Sequence, residues 1–579
     1  MPLDDDYRTE DGGNTRRRGR GKWRSLLTWS LVLVLGALGT CLFHIALFPS
    51  GFDYFPGDRG DARAFVYIAE HWYQALQGHA DLLSPGMFYP VKGTLGYTDT
   101  FVTQALPYSL LRAAGLDMFS ALTVPVVLLN FLTYITCFIL LYRVLRFNVI
   151  ASCVGAIFFA FNSPKLNHPG HFNLQPALFL PLVVIFIVQF GRDAANLTQK
   201  KAFWLLSFAV LFLDIELLTS LYQGWFFIFW SFLFLALALC VPATRSFILG
   251  IVRRFWPALA GSAIVFLLGI IPLLLVYLPV REAVGSRPYG LVSPLIPEFW
   301  SLLLMGNGNY VWGHVSAAIW RMHPLLSTEH YIGIGLVPTV AWLAILAWSV
   351  WIVKKYANEH ITLNKNRLEV TNPGTNYLFL SLVVLATSLL YLIGMKYWND
   401  GSPWRFIYLY FPGAKGFRTV TRYVMVLSLP MSIAFAFMVQ NGMQKISAQK
   451  KAPVRVFLTA AMIAVVSFGL FEQFGHNAAF SKSAEIAWLN KLAARLPENC
   501  SSFYVAAGPV RRQVKYEYQI DAMLVSVMRR VPTLNGYSGH VPPGWALREV
   551  EAPGYEENVR KWIDRHNIKG RICRLEVGE

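Results

Sequence analysis

Runs of about twenty apolar residues recur along almost the whole chain, and they constrain the fold more than any other feature. A helix rising 1.5 Å per residue needs about 20 such residues to cross a hydrocarbon core roughly 30 Å thick. Inside lipid the backbone must satisfy its own hydrogen bonds, which leaves helices and closed barrels as the spanning structures. The 579 residues are 55% hydrophobic and 15% charged, where a soluble chain has about a quarter charged. The expectation is a polytopic α-helical membrane protein. Spans are predicted at 26–46, 119–143, 149–162, 174–191, 203–219, 222–242, 256–280, 333–353, 377–395, 422–440 and 454–473, about eleven in all. The run at 149–162 is short, and the pair within 203–242 has no real connecting loop, so re-entrant segments are the alternative there. The first run follows a basic stretch at 15–25 and exceeds the length of a signal-peptide core, so it reads as a retained span.

The net charge of +18 follows the positive-inside pattern. With residues 1–25 as a cytoplasmic, basic and disordered tail, alternate loops carry the cations. These are Arg143 and Arg146; Arg192, Lys200 and Lys201; Arg245, Arg253 and Arg254; Lys354, Lys355, Lys365 and Arg367; and Lys445, Lys450, Lys451 and Arg455. The charge therefore points to membrane lipids and not to nucleic acid. An odd number of spans puts the C-terminus on the opposite side. Three parts are expected: the tail, a transmembrane domain over 26–477 with a long outer loop at 49–118, and a small α/β extracytoplasmic domain over 478–579. In the loop, Phe65, Ile68, Ala69, Trp72 and Leu76 recur at helical spacing, predicting an amphipathic helix on the membrane surface over 61–77; 101–116 reads as a second. In the C-terminal domain, helices are expected at 483–496 and 516–530, and strands at 501–507 and 571–577. Cys41, Cys137, Cys153 and Cys240 fall in apolar runs. Cys500 and Cys573 belong to the C-terminal domain, where an oxidising compartment lets them pair; two unpaired buried thiols are the alternative.

Polar residues gather on the outer side. Asp58 and Asp61 are three apart, although an Asp before a helix is also an ordinary cap. Asp99 lies in GYTDT, and Lys165, His168 and His171 in NSPKLNHPGH. Asp214 and Glu216 interrupt an apolar run and serve either function or the interface. Arg281, Arg287, Arg321, Arg405 and Lys415 are basic residues outside the cytoplasmic loops, and FPGAKGFRTVTRY puts Arg418 and Arg422 four apart, predicting one helix face. Guanidinium forks suit a lipid phosphate; unspecific headgroup contact is the plainer reading. Pro169 and Gly170 separate His168 from His171, unlike a helical zinc motif, so no metal is expected and a divalent ion is the lesser alternative. His323 and His330 carry no assignment from spacing.

GDRGDARAF at 57–65, FYPVKGTLGYTDT at 88–100, FNSPKLNHPGHFNLQPA at 161–177, TSLYQGW at 219–225 and GFRTVTRY at 416–423 make the chain resemble the GT-C type of polytopic membrane glycosyltransferase. PTLNGYSGHVPPGW at 532–545 looks like a signature of a bacterial group filed with them. The resemblance implies an inverting hexosyl- or pentosyltransferase of the bacterial inner membrane, working at its periplasmic or extracellular face. It would move a sugar from a polyprenyl-phosphate donor to a glycan, lipid or protein acceptor of the cell envelope. Asp58, or next Asp61, would be the base; family acids are often adjacent or once-separated, whereas two residues intervene here. Arg418, Arg422 and Lys415 would hold the donor phosphate, with Asp99, His168, His171, Tyr222, Gln223 and His330 in the cavity and no cofactor. Two other classes compete. A lipid-linked-glycan transporter or flippase would favour internal repeats and midplane acids, neither of which is evident. A non-catalytic envelope-assembly protein would use the C-terminal domain to bind a partner.

Overall fold

The computed structural model describes residues 14–357, 373–397, 401–509 and 514–578. Most of the N-terminal tail (1–13), and Lys365 and Arg367 of one basic loop, lie outside the described residues. Among the described residues, ten helices are long and apolar enough to span a membrane: Leu26–Phe43, Met118–Val144, Val149–Leu166, Gln199–Thr219, Leu221–Cys240, Pro242–Gly269, Leu336–Tyr356, Asn376–Ile393, Val420–Ser447 and Ala452–Phe471. The chain is a multi-pass membrane protein. The short run at 149–162 proves the most enclosed, at 89% buried. It packs with Val420–Ser447, 78% buried, at the centre of the bundle, whereas Ala452–Phe471, 6% buried, lines the outside.

Ten qualifying helices stand beside about eleven expected spans because one run falls short in length, while a second is divided without changing the count. The run at 174–191 yields only Phe179–Asp193, 15 residues, or about 22 Å of helix, less than a hydrocarbon core. Its first residues are held as loop, with the Gln223 side chain donating to Leu174 O at 2.7 Å. The run at 256–280 is divided. Pro242–Gly269 bends at Phe255 (φ −114°, ψ 21°), just before Pro257, and a separate helix covers Ile271–Val284, with Pro272 in its first turn. Proline removes a helix donor and clashes with the preceding turn, which accounts for both boundaries. Between Gln199–Thr219 and Leu221–Cys240 stands one extended residue, Ser220, whose hydroxyl caps the second helix.

Away from the bundle, the first loop and the C-terminal segment build one body. Tyr54–Pro56 pairs antiparallel with Ala479–Ser481. Ser502–Ala507 pairs parallel with Ile572–Val577, and Cys500 is disulfide-bonded to Cys573 across 73 positions. Helices Lys482–Arg495, Glu517–Arg529 and Tyr555–Arg565 complete the C-terminal part. Its core is shared with the loop: Phe65, Val66, Tyr67 and Phe88 pack in one cluster with Leu489, Phe503, Leu524, Trp545 and Trp562. Phe88 N donates to Asn535 O and Tyr89 N to Thr533 O, each at 2.9 Å. The helix over Asp61–Leu76 is amphipathic, but its buried face meets Glu517–Arg529 and the helix Val102–Ala113 rather than a bilayer. Arg63, with no exposed surface, is sealed between Glu485 at 2.6 Å and Asp521.

Candidate active site

The start of the Asp61–Leu76 helix is where the loop, the bundle and the C-terminal part converge. Gly57 (φ +105°) turns the chain into it, and a side chain there would strike Ala62 and the backbone at Gly170. Only glycine adopts such a φ freely and allows this approach. The PGH turn after His168 is thereby pressed against Asp58 and Asp61.

The two acids have different surroundings. Asp58 accepts backbone N–H bonds from Gly60 at 3.0 Å and Ala62 at 3.5 Å, an Asx-type turn leading into the helix, whose N-cap is Gly60. Asp61 accepts a 3.0 Å bond from the hydroxyl of Tyr537 in the C-terminal domain, and its other oxygen lies 3.3 Å from His171 Nε2. Burial, then the charge of Asp61, raises the Asp58 carboxyl above its ordinary value. Burial also raises Asp61, against the pull of Tyr537 and Arg422; its side chain keeps 33% of its surface open, so solvent tempers that shift.

His171 lies beside Asp61. Burial, then the neighbouring Arg422 cation, lowers its ring to about 3, so it is neutral. Arg422 Nη2 donates to its Nε2 at 2.8 Å, which assigns the tautomer. With its Nε2 lone pair taken by Arg422, neutral His171 has no proton to offer Asp61, and the 3.3 Å contact adds no hydrogen bond to that carboxylate.

Arg422 is itself committed. It meets Glu329 through Nη2 at 2.8 Å and Nε at 3.4 Å, and its guanidinium lies 4.7 Å over the Tyr222 ring. His168 Nε2 reaches the same Glu329 at 3.2 Å, and its Nδ1 bonds Pro164 O at 2.8 Å. With Arg422 and His168 against it, Glu329 stays well below its ordinary value despite its burial. Asp99, bonded by Asn173, lies within electrostatic reach of Arg422 and is raised to about 6 by burial.

Several residues singled out by sequence therefore gather here: Asp58, Asp61, Asp99, His168, His171, Tyr222 and Arg422. Others do not. Gln223 is fully enclosed and bonded to backbone. The His330 ring folds back on Ser327 at 3.1 Å, and its neighbour Glu329 is the group that enters the cluster. Arg418 and Arg422 do not share a helix face: the α-helix begins at Tyr423, Arg422 closes a 3-10 turn, and Arg418 precedes it in the loop. Arg418 and Lys415 are exposed. Sequence reasoning missed Glu329, Tyr537 and His540, and it named Arg287 only among the outer basic residues. Tyr537 and His540 belong to the PTLNGYSGHVPPGW stretch, so the signal was present but not read residue by residue. Asn535 anchors that stretch, bonding Gln519 at 2.9 Å, Tyr555 at 3.1 Å and Val505 N at 2.9 Å. Among the described residues, no group of three or more His, Cys, Asp or Glu is placed to hold a metal ion.

The arrangement offers a partly open carboxylate, a neutral imidazole beside it and exposed cations nearby, the parts needed to take a proton and stabilise a departing anion. No protein-family model matches the sequence, and no curated protein matches it. Solved structures do. The oligosaccharyltransferase of Archaeoglobus fulgidus in its apo form superposes at a TM-score of 0.50 and 12% identity, covering 94% of this chain and 69% of its own. AglB from the same organism, in complex with an inhibitory peptide and a dolichol-phosphate, gives 0.50 at 11% identity with the same coverage. ArnT from Cupriavidus metallidurans bound to undecaprenyl phosphate covers 88% of this chain and 85% of its own at 13% identity, with a TM-score of 0.34. On the strength of the two oligosaccharyltransferase superpositions, the chain has the fold of the GT-C polytopic membrane glycosyltransferases.

Proposed function

We propose that the protein is a glycosyltransferase that takes a sugar from a polyprenyl-phosphate donor and passes it to a cell-envelope acceptor. The N-terminus is cytoplasmic in this reading, and the reaction runs on the side that carries the C-terminal domain. The observation that carries it is Asp61, a partly open carboxylate bracketed by Tyr537 and His171 with exposed cations near by. Asp61 replaces Asp58 as the preferred base, because the Asp58 carboxylate is already engaged by the backbone amides of Gly60 and Ala62. The fold supports the donor class: an oligosaccharyltransferase of this fold was solved with a dolichol-phosphate.

In the proposed step, ionised Asp61 removes the proton of an acceptor hydroxyl while that oxygen attacks the anomeric carbon. The new C–O bond forms as the bond to the lipid phosphate breaks, with inversion. The proton rests on Asp61, whose carboxyl burial has raised above its ordinary value. Glu329 positions Arg422, and Arg422 positions His171.

The test is purified protein in liposomes, with sugar transfer and lipid translocation measured separately on a panel of polyprenyl-phosphate sugars. Transfer by the wild type and its loss in Asp61→Asn, with folding unchanged, is the expected result. Full transfer in Asp58→Asn, Asp61→Asn and the double variant would overturn the reading.

A further inference from the structure

Residues 168–174 form an irregular turn between helices, yet buried glutamines bond four of its carbonyls. Gln175 Nε2 donates to His168 O at 3.3 Å and to Pro169 O at 3.2 Å, which uses both of its N–H groups. Gln104, from the helix Val102–Ala113, donates to Phe172 O at 2.8 Å, and Gln223 donates to Leu174 O at 2.7 Å. Backbone oxygens withdrawn from water need such partners. Here side chains supply them, so side chains set the shape of the turn. Gln175 is itself held. Its Oε1 accepts from Asn130 Nδ2 at 3.4 Å, and the same Nδ2 lies 3.0 Å from His44 Nε2. Asn130 belongs to the span Met118–Val144, and His44 directly follows the span Leu26–Phe43. All three side chains are buried, so a polar line runs from the first span to the turn.

The opposite side of the turn faces the two acids. A Cβ built on Gly170 would lie 3.0 Å from Asp58 Oδ1 and 3.4 Å from the Asp61 Cβ, and His171 Nε2 lies 3.3 Å from Asp61. We propose that Gln175, backed by Asn130 and His44, is a positioning residue that sets how closely the His168–His171 turn covers Asp61, so that the first two spans tune a base they do not touch. This rests on the transferase reading above and deepens it. The consequence for pH has a definite sign. Facing Asp61 are Asp58, His171 and Tyr537, with Tyr516, Arg422, Glu329 and Arg418 within electrostatic reach. Burial is the largest cause that raises its carboxyl, and the turn supplies part of that burial. A turn that swings away admits water and returns the carboxyl towards its ordinary value. Because the base must be ionised, the acid limb of the pH–rate profile then moves to lower pH. Mere loss of folded protein lowers the rate at every pH alike.

The experiment pairs transfer kinetics across pH with hydrogen–deuterium exchange over residues 168–175, on the full-length protein in detergent. Gln175→Met removes both donors at similar size. It is expected to lower kcat by up to about 100-fold with the donor KM little changed, to move the acid limb to lower pH, and to speed exchange of the His171 and Leu174 amides, which bond His168 O and His171 O. Asn130→Leu and then His44→Leu should do the same by smaller factors, and Asn130→Leu carries the test if Gln175→Met does not fold. Thr244→Val, which loses a buried hydrogen bond to Ala238 O elsewhere in the bundle, should keep the wild-type acid limb and the wild-type exchange of the turn. An unmoved acid limb in Gln175→Met would overturn the proposal, as would unchanged exchange of the turn. Wild-type protein that transfers nothing would defeat the transferase reading, and the exchange of the turn would still decide whether Gln175 holds it. Full transfer by Asp61→Asn defeats the assignment of the base and leaves that exchange unaffected.

Discussion

Two charged clusters share the start of one helix and differ in nearly every physical respect. Arg63 is fully buried, with Glu485 and Asp521 on it. Asp61, only two residues earlier, keeps 33% of its side chain open and faces Tyr537 and His171. At about 100° per residue, positions 61 and 63 project to nearly opposite sides of a helix. One side fastens the loop to the C-terminal domain through matched charges. The other holds a carboxylate whose surroundings favour a proton. A matched, dry ion cluster is a structural staple, while an open and unbalanced one stores chemistry. The same contrast separates Arg422, neutralised by Glu329, from Arg418, which is exposed.

The contrast can be broken most severely at its two centres. Asp61→Asn should reduce transfer by about 100- to 10,000-fold, the range of a general base, with the melting temperature little changed; an assay of initial rates beside a melting curve checks both. Arg63→Ala should do the reverse, costing about 3–5 kcal/mol because buried carboxylates lose their partner. Limited proteolysis releasing the C-terminal domain would report it, and an unchanged digestion pattern would mean that Arg63 is not the staple. Glu329→Gln should fall between these, cutting transfer roughly 10- to 100-fold by freeing Arg422, as loss of one partner of a buried charge pair does. Arg422→Lys should resemble it, since an ammonium cannot reproduce the fork.

The smallest expected effect is at Asp99. With its carboxyl raised from 3.8 to about 6, the folded chain prefers the neutral form. That contribution is fully present below about 3.8 and is lost as pH rises through about 6. Asp99→Asn stays neutral throughout, so it should melt above wild type at about pH 7 and level with it near pH 4. Equal melting at both values would show that solvent already screens this group.

Membrane spans were the most legible part of the sequence, because length and hydropathy are local properties. The failures were also local in origin: Pro257 and Pro272 divide one run, and the loop before Phe179 shortens another. The spacing of Arg418 and Arg422 suggested a helix face, but a 3-10 turn intervenes before Tyr423. Within the site, Asp58, Asp61, His168 and His171 drew notice as polar residues beside apolar runs. Their pairings did not. Tyr537 reaches Asp61 across 476 positions and Arg422 reaches His171 across 251, distances over which periodicity carries no information. Glu329 sat beside a histidine that attracted the attention instead, and only the turn geometry reveals which of the two faces the cluster.

A structure of the full chain with a short-chain polyprenyl phosphate is the most direct test of where the chemistry lies. The phosphate should sit within hydrogen-bond reach of Arg418, one sugar ring from Asp61, on the side that carries the C-terminal domain. A phosphate seated at the opposite end of the bundle, or held by residues remote from Asp61, would contradict the assignment of this cluster as the active site.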